Sequence, residues 1–468
     1  MIWAAQRELG RRIPAQAGLD EGVCAAVRTS SGCPAPVPLA PLSQFQVFDS
    51  FLSGETVSQN FHHGMLRITA VPPRIQFARP PPLRIKPRAS ALLSPHSRPH
   101  STSTASSSTM SASFNIPKVQ KAAIVEKTSE PLRIIDNHPV KQPSELAPGE
   151  CLVELDCSGV CHTDLHARNG DWPIQAKLPL IGGHEGVGRV VAIGQHTQNS
   201  PVKLGDRVGI KWLAYSCQDC EPCRNGIEQS CLNGRYSGFT VDGTFSQYVV
   251  SWVTHVTPIP DELESAEAAS ILCAGVTVYR AIKYSKAKIG DWIVLPGAGG
   301  GLGHLAVQYA VAMGLRVVAV DTGAEKKDLV TRLGAEKWVD FRETKDLVKD
   351  IREATDGFGA HAAVVTAATG AAYAQAVDYL RMGGTLMVVG LPAKANLSAD
   401  IFFTVVKSIS ILGSYVGNRQ DAREALDIAA RGKVKCHYAT KPLSELSQTY
   451  EDLEQGKIAG RIVLNMKH

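Results

Sequence analysis

Five side chains suited to catalysis lie within six positions of the sequence: Cys161, His162, Thr163, Asp164 and His166. Thiolates and imidazoles are common metal ligands, while hydroxyl, carboxylate and imidazole groups can hold or move protons. A polar turn with a chance cysteine would have the same composition. The segment is therefore a candidate metal-anchored catalytic loop, and its partners must come from elsewhere in the chain.

A catalytic zinc ion is held by three protein ligands and keeps one position open for substrate. Besides Cys161, the candidate ligands are His184, which lies in a glycine-rich segment at 182–186, and Cys273. Spacing alone does not bring these residues together. Cys273 also fits a core position at the start of an apolar helix.

A second candidate metal site is a short cysteine-rich segment, formed by Cys217, Cys220, Cys223 and Cys231. Four thiolates can close a tetrahedral zinc site with no open position, which stabilises a loop and does no chemistry. An iron-sulfur cluster uses the same number of thiolates. Four unliganded structural cysteines are a third alternative.

A glycine-rich turn at 297–303 separates an apolar strand from a helix, as in dinucleotide-binding sites. The residues expected to contact the cofactor there are Gly297, Gly300, Gly301, Leu302 and Gly303. The strict Gly-x-Gly-x-x-Gly spacing is not met, because Ala298 occupies its first position.

Asp321 ends the next strand, 21 residues beyond Gly300, where a carboxylate can accept hydrogen bonds from both ribose hydroxyls. A carboxylate would repel a 2′-phosphate, so NAD is favoured over NADP. Lys326 is expected to reach the same adenosine end. A tight turn followed by an ordinary surface aspartate is the alternative.

Two different patterns of secondary structure must position these residues. Up to about residue 260 the sequence predicts short β-strands, for example at 121–126 and 151–157. Apolar strands then alternate with helices, which predicts a doubly wound parallel sheet. Its six strands are expected at 292–295, 316–320, 337–340, 362–366, 385–389 and 409–413. A last strand at 461–465 is expected to rejoin the first domain.

Composition excludes several classes of protein. The 468 residues, 44% of them hydrophobic, suit a globular α/β protein, and no apolar run approaches the roughly 18 residues of a membrane helix. The net charge of +5 arises in residues 1–109, which carry 11 Lys/Arg against 5 Asp/Glu. The remainder is close to neutral, so charge does not indicate nucleic-acid binding.

Eleven cysteines without a secretory signal favour reduced thiols over a disulfide framework. Five of them have no ligand spacing and are expected to be chemically inert: Cys24, Cys33, Cys151, Cys157 and Cys436.

Residues 1–109 are expected to form a disordered N-terminal extension, because residues 56–109 contain no acidic residue and are rich in proline, serine and threonine. Their composition is similar to a mitochondrial presequence. An over-extended gene model that truly begins at Met110 is the favoured alternative. We therefore expect a cytoplasmic protein, with the mitochondrial matrix as the second location.

Residues 110–468 resemble the zinc-dependent medium-chain alcohol dehydrogenases, and most closely the tetrameric yeast and fungal enzymes. The resemblance rests on both cysteine-containing sites, the nucleotide turn, and the segments 159–167, 170–173, 182–186, 209–213, 271–279 and 413–419. It implies an NAD-binding Rossmann domain at 276–414 and a mostly β, GroES-like catalytic domain at 110–275 that is completed by 415–468. It also implies two zinc ions per chain and a homotetramer.

The resemblance also implies roles for individual residues. Catalytic zinc is expected on Cys161, His184 and Cys273, and structural zinc on the four-cysteine segment. Glu185 is expected behind the catalytic metal, and Asp164 is expected to orient His184. His162 and Arg461 are expected to contact the cofactor pyrophosphate, and Thr277 the nicotinamide.

The resemblance further implies that Thr163 passes the alcohol proton through the cofactor ribose to His166, which releases it to solvent. Trp172, Trp212 and Leu391 are expected to wall the substrate pocket. Two indoles leave room for a short primary alcohol such as ethanol. A polyol, aromatic alcohol or formaldehyde adduct is the alternative substrate, and a non-catalytic zinc and nucleotide binder or a thiol redox sensor is the remote alternative function.

Overall fold

The structure is a computed structural model that describes residues 114–467. The predictions for residues 1–109, including the extension, Cys24 and Cys33, lie outside the described residues, as does a start at Met110. Among the described residues no helix has both the length and the apolar character needed to cross a membrane.

The first part of the described chain is mostly β-structure. Its strands are β1 (Val119–Val125), β2 (Arg133–Pro139), β3 (Glu150–Val160), β4 (Leu180–Ile181), β5 (Gly186–Ile193), β6 (Arg207–Ile210), β7 (Leu213–Tyr215), β8 (Arg235–Tyr236), β9 (Tyr248–Trp252) and β10 (Thr257–Pro258). Its helices are α1 (His162–Asn169), α2 (Glu221–Arg224) and α3 (Ser265–Ser270), with single 3-10 turns at Pro143–Glu145 and Glu228–Ser230.

The second part alternates strands with helices. After a wide helical turn at Ile271–Gly275, its elements are α4 (Val276–Tyr284), β11 (Trp292–Pro296), α5 (Gly303–Ala312), β12 (Arg316–Asp321), α6 (Ala324–Arg332), β13 (Lys337–Asp340), α7 (Leu347–Ala354), β14 (Ala360–Val365), α8 (Gly370–Tyr379), β15 (Leu380–Val388), α9 (Ile401–Val406) and β16 (Ser410–Gly413). The strands form one parallel sheet in the order β13-β12-β11-β14-β15-β16. This confirms the predicted doubly wound fold.

Strand β11 shows why the sequence folds this way. Ile293 and Leu295 belong to a core shared with helix α5, whereas Trp292 and Val294 belong to a core shared with α7 and α8. Both faces of the strand are therefore covered, which requires the nearly continuous apolar run that the sequence shows. The strand order reverses between β11 and β14, so a crevice opens at their carboxyl ends.

The last elements are α10 (Arg419–Ala430), β17 (Tyr438–Pro442), a 3-10 turn at Leu443–Glu445, α11 (Leu446–Glu454) and β18 (Arg461–Asn465). Strand β18 pairs antiparallel with β3, and Ile462 lies opposite Val160. These strands belong to a sheet with the order β10-β6-β5-β3-β18-β17, in which β9 also pairs with β3. The pairing of β18 with β3 carries Arg461 to the segment that begins at Cys161.

Candidate active site and metal centres

The opening segment follows directly from the end of β3. Cys161 is still extended and forms the N-terminal cap of α1, and its backbone N–H donates to Oδ2 of Asp164 at 2.9 Å. The helix ends at Gly170, which has a φ of +63° and closes the last turn. Cys161 therefore lies at the strand end, while His162, Thr163 and His166 lie on the helix.

The structure brings together the three residues predicted to hold a catalytic metal. Ligand atoms of Cys161, His184, Cys273 and the neighbouring Glu185 all lie within 4.8 Å of one another, and all four residues are buried. Nε2 of His184 is 3.1 Å from Sγ of Cys273. The three come from the end of β3, the loop after β4 and the turn before α4, which explains why their spacing did not reveal the cluster.

The protonation states of the cluster fit a cation site. A hydrogen bond from Cys273 lowers the pKa of the Cys161 thiol well below its usual value and raises that of Cys273. Although burial opposes protonation of His184, its contacts with Asp164 raise the pKa of the imidazole well above its ordinary value. Two sulfurs and an imidazole nitrogen are the ligand set of an open zinc site, where the cation would replace the shared protons.

Glu185 lies beside this cluster, and Oε1 forms an ion pair with Nη2 of Arg461. Burial raises the pKa of Glu185 to about 7 against the opposing charge of Arg461. A Cβ at Gly159 would lie only 2.0 Å from Oε2 of Glu185, so the glycine leaves room for this carboxylate. Neither Oε2 of Glu185 nor Nε of Arg461 has a protein partner within the described chain.

The four cysteines of the second segment also converge. Their sulfurs lie within 4.8 Å of one another, with 3.5 Å between those of Cys220 and Cys223 and 3.8 Å between those of Cys220 and Cys231. A tetrahedral zinc ion with Zn–S bonds of about 2.3 Å separates its sulfurs by about 3.8 Å. The geometry fits one zinc ion closed on all sides. A bidentate pair between Glu228 and Arg419, 2.8 Å at its closest, ties this segment to α10.

The remaining cysteines of the described chain have no such arrangement. Burial raises the pKa of Cys151, Cys157 and Cys436 to about 12 in each case. Thiols in this state are poor nucleophiles and poor metal ligands.

The glycine-rich turn forms the floor of the crevice. Gly297 has a φ of +83°, so it makes the tight turn that the strict spacing would assign to Ala298. A Cβ at Gly303 would lie 2.0 Å from the carbonyl oxygen of Gly297, and one at Gly301 would lie 3.0 Å from Nη1 of Arg461. The turn thus lets the first turn of α5 and Arg461 approach closely, which leaves a cradle suited to a pyrophosphate.

Asp321 holds the turn from the end of β12. Its Oδ2 accepts from the backbone N–H of Gly299 at 2.9 Å, and Oδ1 lies 3.2 Å from Nζ of Lys326. The side chain is 7% exposed. The carboxylate retains lone pairs for the hydroxyls of a ribose, and Lys326 lies at the same end of the crevice as Asp321.

One cavity of about 930 Å³ connects the metal cluster with the crevice. It is lined by most of the predicted site residues: Cys161, His162, Thr163, His166, Trp172, His184, Trp212, Cys273, Thr277, Gly297, Gly300, Gly301, Leu302, Asp321, Lys326, Leu391 and Arg461. Asp164, Glu185 and Gly303 act from behind this lining.

Two indoles wall the cavity next to the metal cluster. Trp212 meets the ring of His184 edge-on at 5.3 Å, and Trp172 stacks on the ring of His166 at 5.1 Å. Nε1 of Trp212 donates to the hydroxyl of Tyr415 at 2.5 Å, which fixes the indole. Leu391 is 54% exposed and lies at the open side of the cavity.

Sequence reasoning missed two residues of this site. Asp171 is within hydrogen-bond distance of His166, and Tyr415 holds Trp212. Both lie in segments that resemble the dehydrogenase family, at 170–173 and 413–419, but neither has ligand spacing or a motif of its own. Only the fold places them beside their partners.

Family models match both halves of the described chain. An alcohol dehydrogenase GroES-like domain matches residues 147–261, and a zinc-binding dehydrogenase domain matches residues 301–431.

Curated relatives include alcohol dehydrogenase 1 of Emericella nidulans, which is 49% identical over 354 residues that make up 75% of this chain and 99% of the relative. The alcohol dehydrogenase of Schizosaccharomyces pombe is 48% identical over 75% of this chain and 99% of its own length.

Solved structures with the same fold include the alcohol dehydrogenase of the archaeon Aeropyrum pernix, with a TM-score of 0.67, 33% identity, and coverage of 74% of this chain and 99% of that one. The acetophenone reductase of Geotrichum candidum, solved in complex with NAD, has a TM-score of 0.67 and 29% identity over 75% of this chain and 98% of its own. Together with the two metal centres and the nucleotide crevice, these similarities establish that the chain belongs to the zinc-dependent medium-chain alcohol dehydrogenases.

Proposed function

We propose that this NAD-dependent zinc alcohol dehydrogenase oxidises short primary alcohols such as ethanol to aldehydes and catalyses the reverse reduction. The observation that carries the choice of substrate is the pair of indoles, Trp172 and Trp212, beside the catalytic metal ligands. Two indoles occupy much of the cavity next to the reacting position. A short alkyl chain fits the remaining space better than a bulky one.

Cys161, His184 and Cys273 would hold the catalytic zinc. Bound zinc supplies Lewis acidity that favours the alkoxide, and bound NAD accepts the hydride. Asp164 accepts from Nδ1 of His184 at 2.8 Å and thereby directs Nε2 towards the metal position. The four-cysteine segment is assigned the structural zinc.

The chain's own residues bind the cofactor and move the proton. The hydroxyl of Thr163 accepts the hydrogen bond of the substrate hydroxyl, and His166 takes up the proton at Nε2 and releases it to solvent. Asp321 accepts from ribose hydroxyls and repels a 2′-phosphate. Arg461 and His162 would hold the pyrophosphate, and Thr277 would contact the nicotinamide; all three line the cavity.

A substrate panel tests this proposal against its within-family alternative. The purified zinc enzyme is expected to reduce NAD with ethanol and propanol faster than with a polyol, an aromatic alcohol or a formaldehyde adduct of a thiol. Higher kcat/KM for any of the latter three classes would replace the proposed substrate while keeping the dehydrogenase chemistry. No turnover of any alcohol by protein with both zinc ions would instead favour a non-catalytic binder or a thiol redox sensor.

We also propose a homotetramer in which α9 and β16 form one contact between copies. Helix α9 exposes apolar side chains, and the exposed fractions are 81% for Ile401, 67% for Phe402 and 70% for Val405. Among the described strands β16 pairs only with β15, so one edge of the parallel sheet is open. An open edge beside an apolar helix favours pairing with the same surface of a second copy around a two-fold axis.

We propose the cytoplasm as the location of the protein, with the mitochondrial matrix as the alternative. Sequencing the N-terminus of the protein purified from its natural source tests this. Translation that starts at Met110, in protein recovered from the cytosol, supports the cytoplasm. A chain cleaved from a longer precursor and recovered with mitochondria would support the matrix.

A further inference from the structure

We propose that Asp171 is the positioning residue of the proton-relay histidine, which it holds in the form that carries hydrogen on Nδ1 and leaves Nε2 free to accept a proton. This inference rests on the relay role proposed for His166. No ligand spacing or nucleotide motif includes Asp171, and it does not line the cavity.

One ring nitrogen of His166 faces both oxygens of the Asp171 carboxylate. Nδ1 of His166 is 2.8 Å from Oδ1 and 2.9 Å from Oδ2 of Asp171. A carboxylate only accepts hydrogen bonds, so Nδ1 is the donor and carries the hydrogen. Within the described chain Nε2 of His166 has no protein partner, and the side chain lines the cavity. The contact therefore leaves the acceptor nitrogen of the ring free.

The turn after α1 brings Asp171 back to His166. Gly170 has a φ of +63°, and its backbone N–H donates to the carbonyl oxygen of His166 at 2.8 Å. A Cβ at position 170 would lie 2.2 Å from Cγ2 of Thr128, so only glycine fits there without displacement. The sharp reversal places residue 171 against a side chain five positions earlier.

Trp172 completes the positioning of the ring. Its indole stacks on the imidazole with 5.1 Å between ring centroids and 24° between planes. The carboxylate thus holds one edge of the imidazole while the indole covers one face. Rotation of the imidazole would lose both contacts, so the ring is fixed before any ligand binds.

The charge of Asp171 also assists the proton transfer. When Nε2 takes up a proton, the ring becomes a cation with the carboxylate 2.8 Å from its other nitrogen. Nδ1 keeps its hydrogen throughout, and Nε2 then returns the added proton to solvent. A second titratable group near His166 is His162, one turn earlier on α1. His162 can be neutral or positive but never negative. Of Asp171 and His162, only Asp171 can therefore stabilise the protonated ring of His166 by its charge.

The test replaces Asp171 with asparagine, which keeps the shape but can offer its N–H to Nδ1 and so favour hydrogen on Nε2. The holoenzyme variant Asp171→Asn is expected to lose about tenfold or more in kcat with ethanol, since positioned acid–base groups contribute about 100-fold or more. In the background of His166→Ala the same substitution is expected to change kcat less than about twofold. The kcat of Asp171→Glu is expected to lie between those of the wild type and Asp171→Asn.

A second readout needs no substrate turnover. An unprotonated imidazole nitrogen attacks diethyl pyrocarbonate and becomes carbethoxylated, and peptide mass mapping reports the rate of this modification at His166. We expect Asp171→Asn to slow this modification several-fold and Asp171→Glu to restore it. A matched control is Asp291→Asn, because Oδ1 of Asp291 lies 3.1 Å from Nε2 of His361 at similar exposure but remote from the cavity.

The outcomes separate this inference from the proposed function. Equal losses of kcat in the wild-type and His166→Ala backgrounds would overturn it in favour of a general structural role of Asp171. An unchanged modification rate at His166 would overturn it whatever the activity. If the wild-type enzyme oxidised no alcohol while Asp171→Asn still slowed the modification, the proposed function would fail and the positioning role would stand.

Discussion

Asp164 and His184 are 20 residues apart in sequence, yet Nδ1 of His184 lies 2.8 Å from Oδ1 of Asp164 in a fully buried pair. Oδ2 of the same carboxylate accepts from the backbone N–H of Cys161 at 2.9 Å. One side chain thus fixes the orientation of two of the three residues assigned to the catalytic zinc. It joins the first turn of α1 to the loop after β4.

Asp164→Asn is therefore expected to weaken catalytic zinc binding by about 10- to 100-fold, since it removes the group that fixes the tautomer of His184. Competition with a chelator, followed by counting the retained zinc, measures this. Asp136→Asn is the control. The side chain of Asp136 is 82% exposed, and its Oδ1 lies 3.6 Å from Nζ of Lys121 at the surface. Equal zinc retention by the two variants would show that Asp164 does not support the metal.

The two metal centres are expected to respond differently to loss of one ligand. Cys161→Ser should leave one zinc per chain, abolish turnover and change the melting temperature little. Cys220→Ser should also leave one zinc but lower the melting temperature by roughly 10 °C, because a closed site contributes folding energy. Metal analysis and thermal unfolding of the two purified variants measure the zinc content and the melting temperature of each. Equal melting temperatures would contradict the structural role of the four-cysteine segment.

Asp321 is expected to set the choice between NAD and NADP. Asp321→Ala removes the repulsion of a 2′-phosphate and frees Lys326, which lies 3.2 Å from Oδ1, to bind it. We expect the ratio of kcat/KM for NADP to that for NAD to rise by about tenfold or more. Lys326→Ala combined with Asp321→Ala should reverse part of that gain. A ratio that stays at the wild-type value would remove Asp321 from the ribose site.

Trp172 is expected to limit the length of the substrate. Trp172→Ala opens the cavity beside the metal ligands, so kcat/KM for hexanol relative to ethanol should rise by roughly tenfold. The readout is the ratio of the two kcat/KM values, because loss of the stacking on His166 would lower the values for hexanol and ethanol alike. Trp252→Ala, on β9, serves as the control. If longer alcohols gained nothing, Trp172 would not be a wall of the substrate pocket.

The proposed contact through α9 predicts the effect of a charge on its surface. Val405→Lys should dissociate the assembly, because it buries a lysine at the apolar contact. Phe358→Lys should not, although Phe358 is 77% exposed, because Phe358 lies outside α9 and β16. Sedimentation of both variants measures this. Dissociation by both, or by neither, would contradict the assignment of α9 to the contact.

The sequence was most informative where one physical rule determines both pattern and structure. The parallel strands need apolar residues on both faces, so runs such as Trp292–Pro296 were readable directly. The four cysteines from 217 to 231 were readable because a single short segment supplies the whole metal site. The ligands Cys161, His184 and Cys273 were predicted together only through the family resemblance, since three separate elements contribute them.

Contacts that depend on turns and strand pairing were not readable. Asp171 reaches His166 only because Gly170 reverses the chain, and Arg461 reaches Glu185 only because β18 pairs with β3. The exact position of the glycine turn was also not predictable from the spacing of the motif. The spacing rule assigned the tight turn to Ala298, whereas the positive φ lies at Gly297.

Cys161, His184 and Cys273 are proposed to form a zinc site that oxidises short alcohols with NAD. The most direct measurement is NADH formation from ethanol by purified protein whose zinc content has been determined, with Cys161→Ser assayed beside it. We expect turnover by protein with about two zinc ions per chain, and none by Cys161→Ser with one. Two zinc ions per chain without turnover of any alcohol, or undiminished turnover by Cys161→Ser, would contradict the assignment of this site.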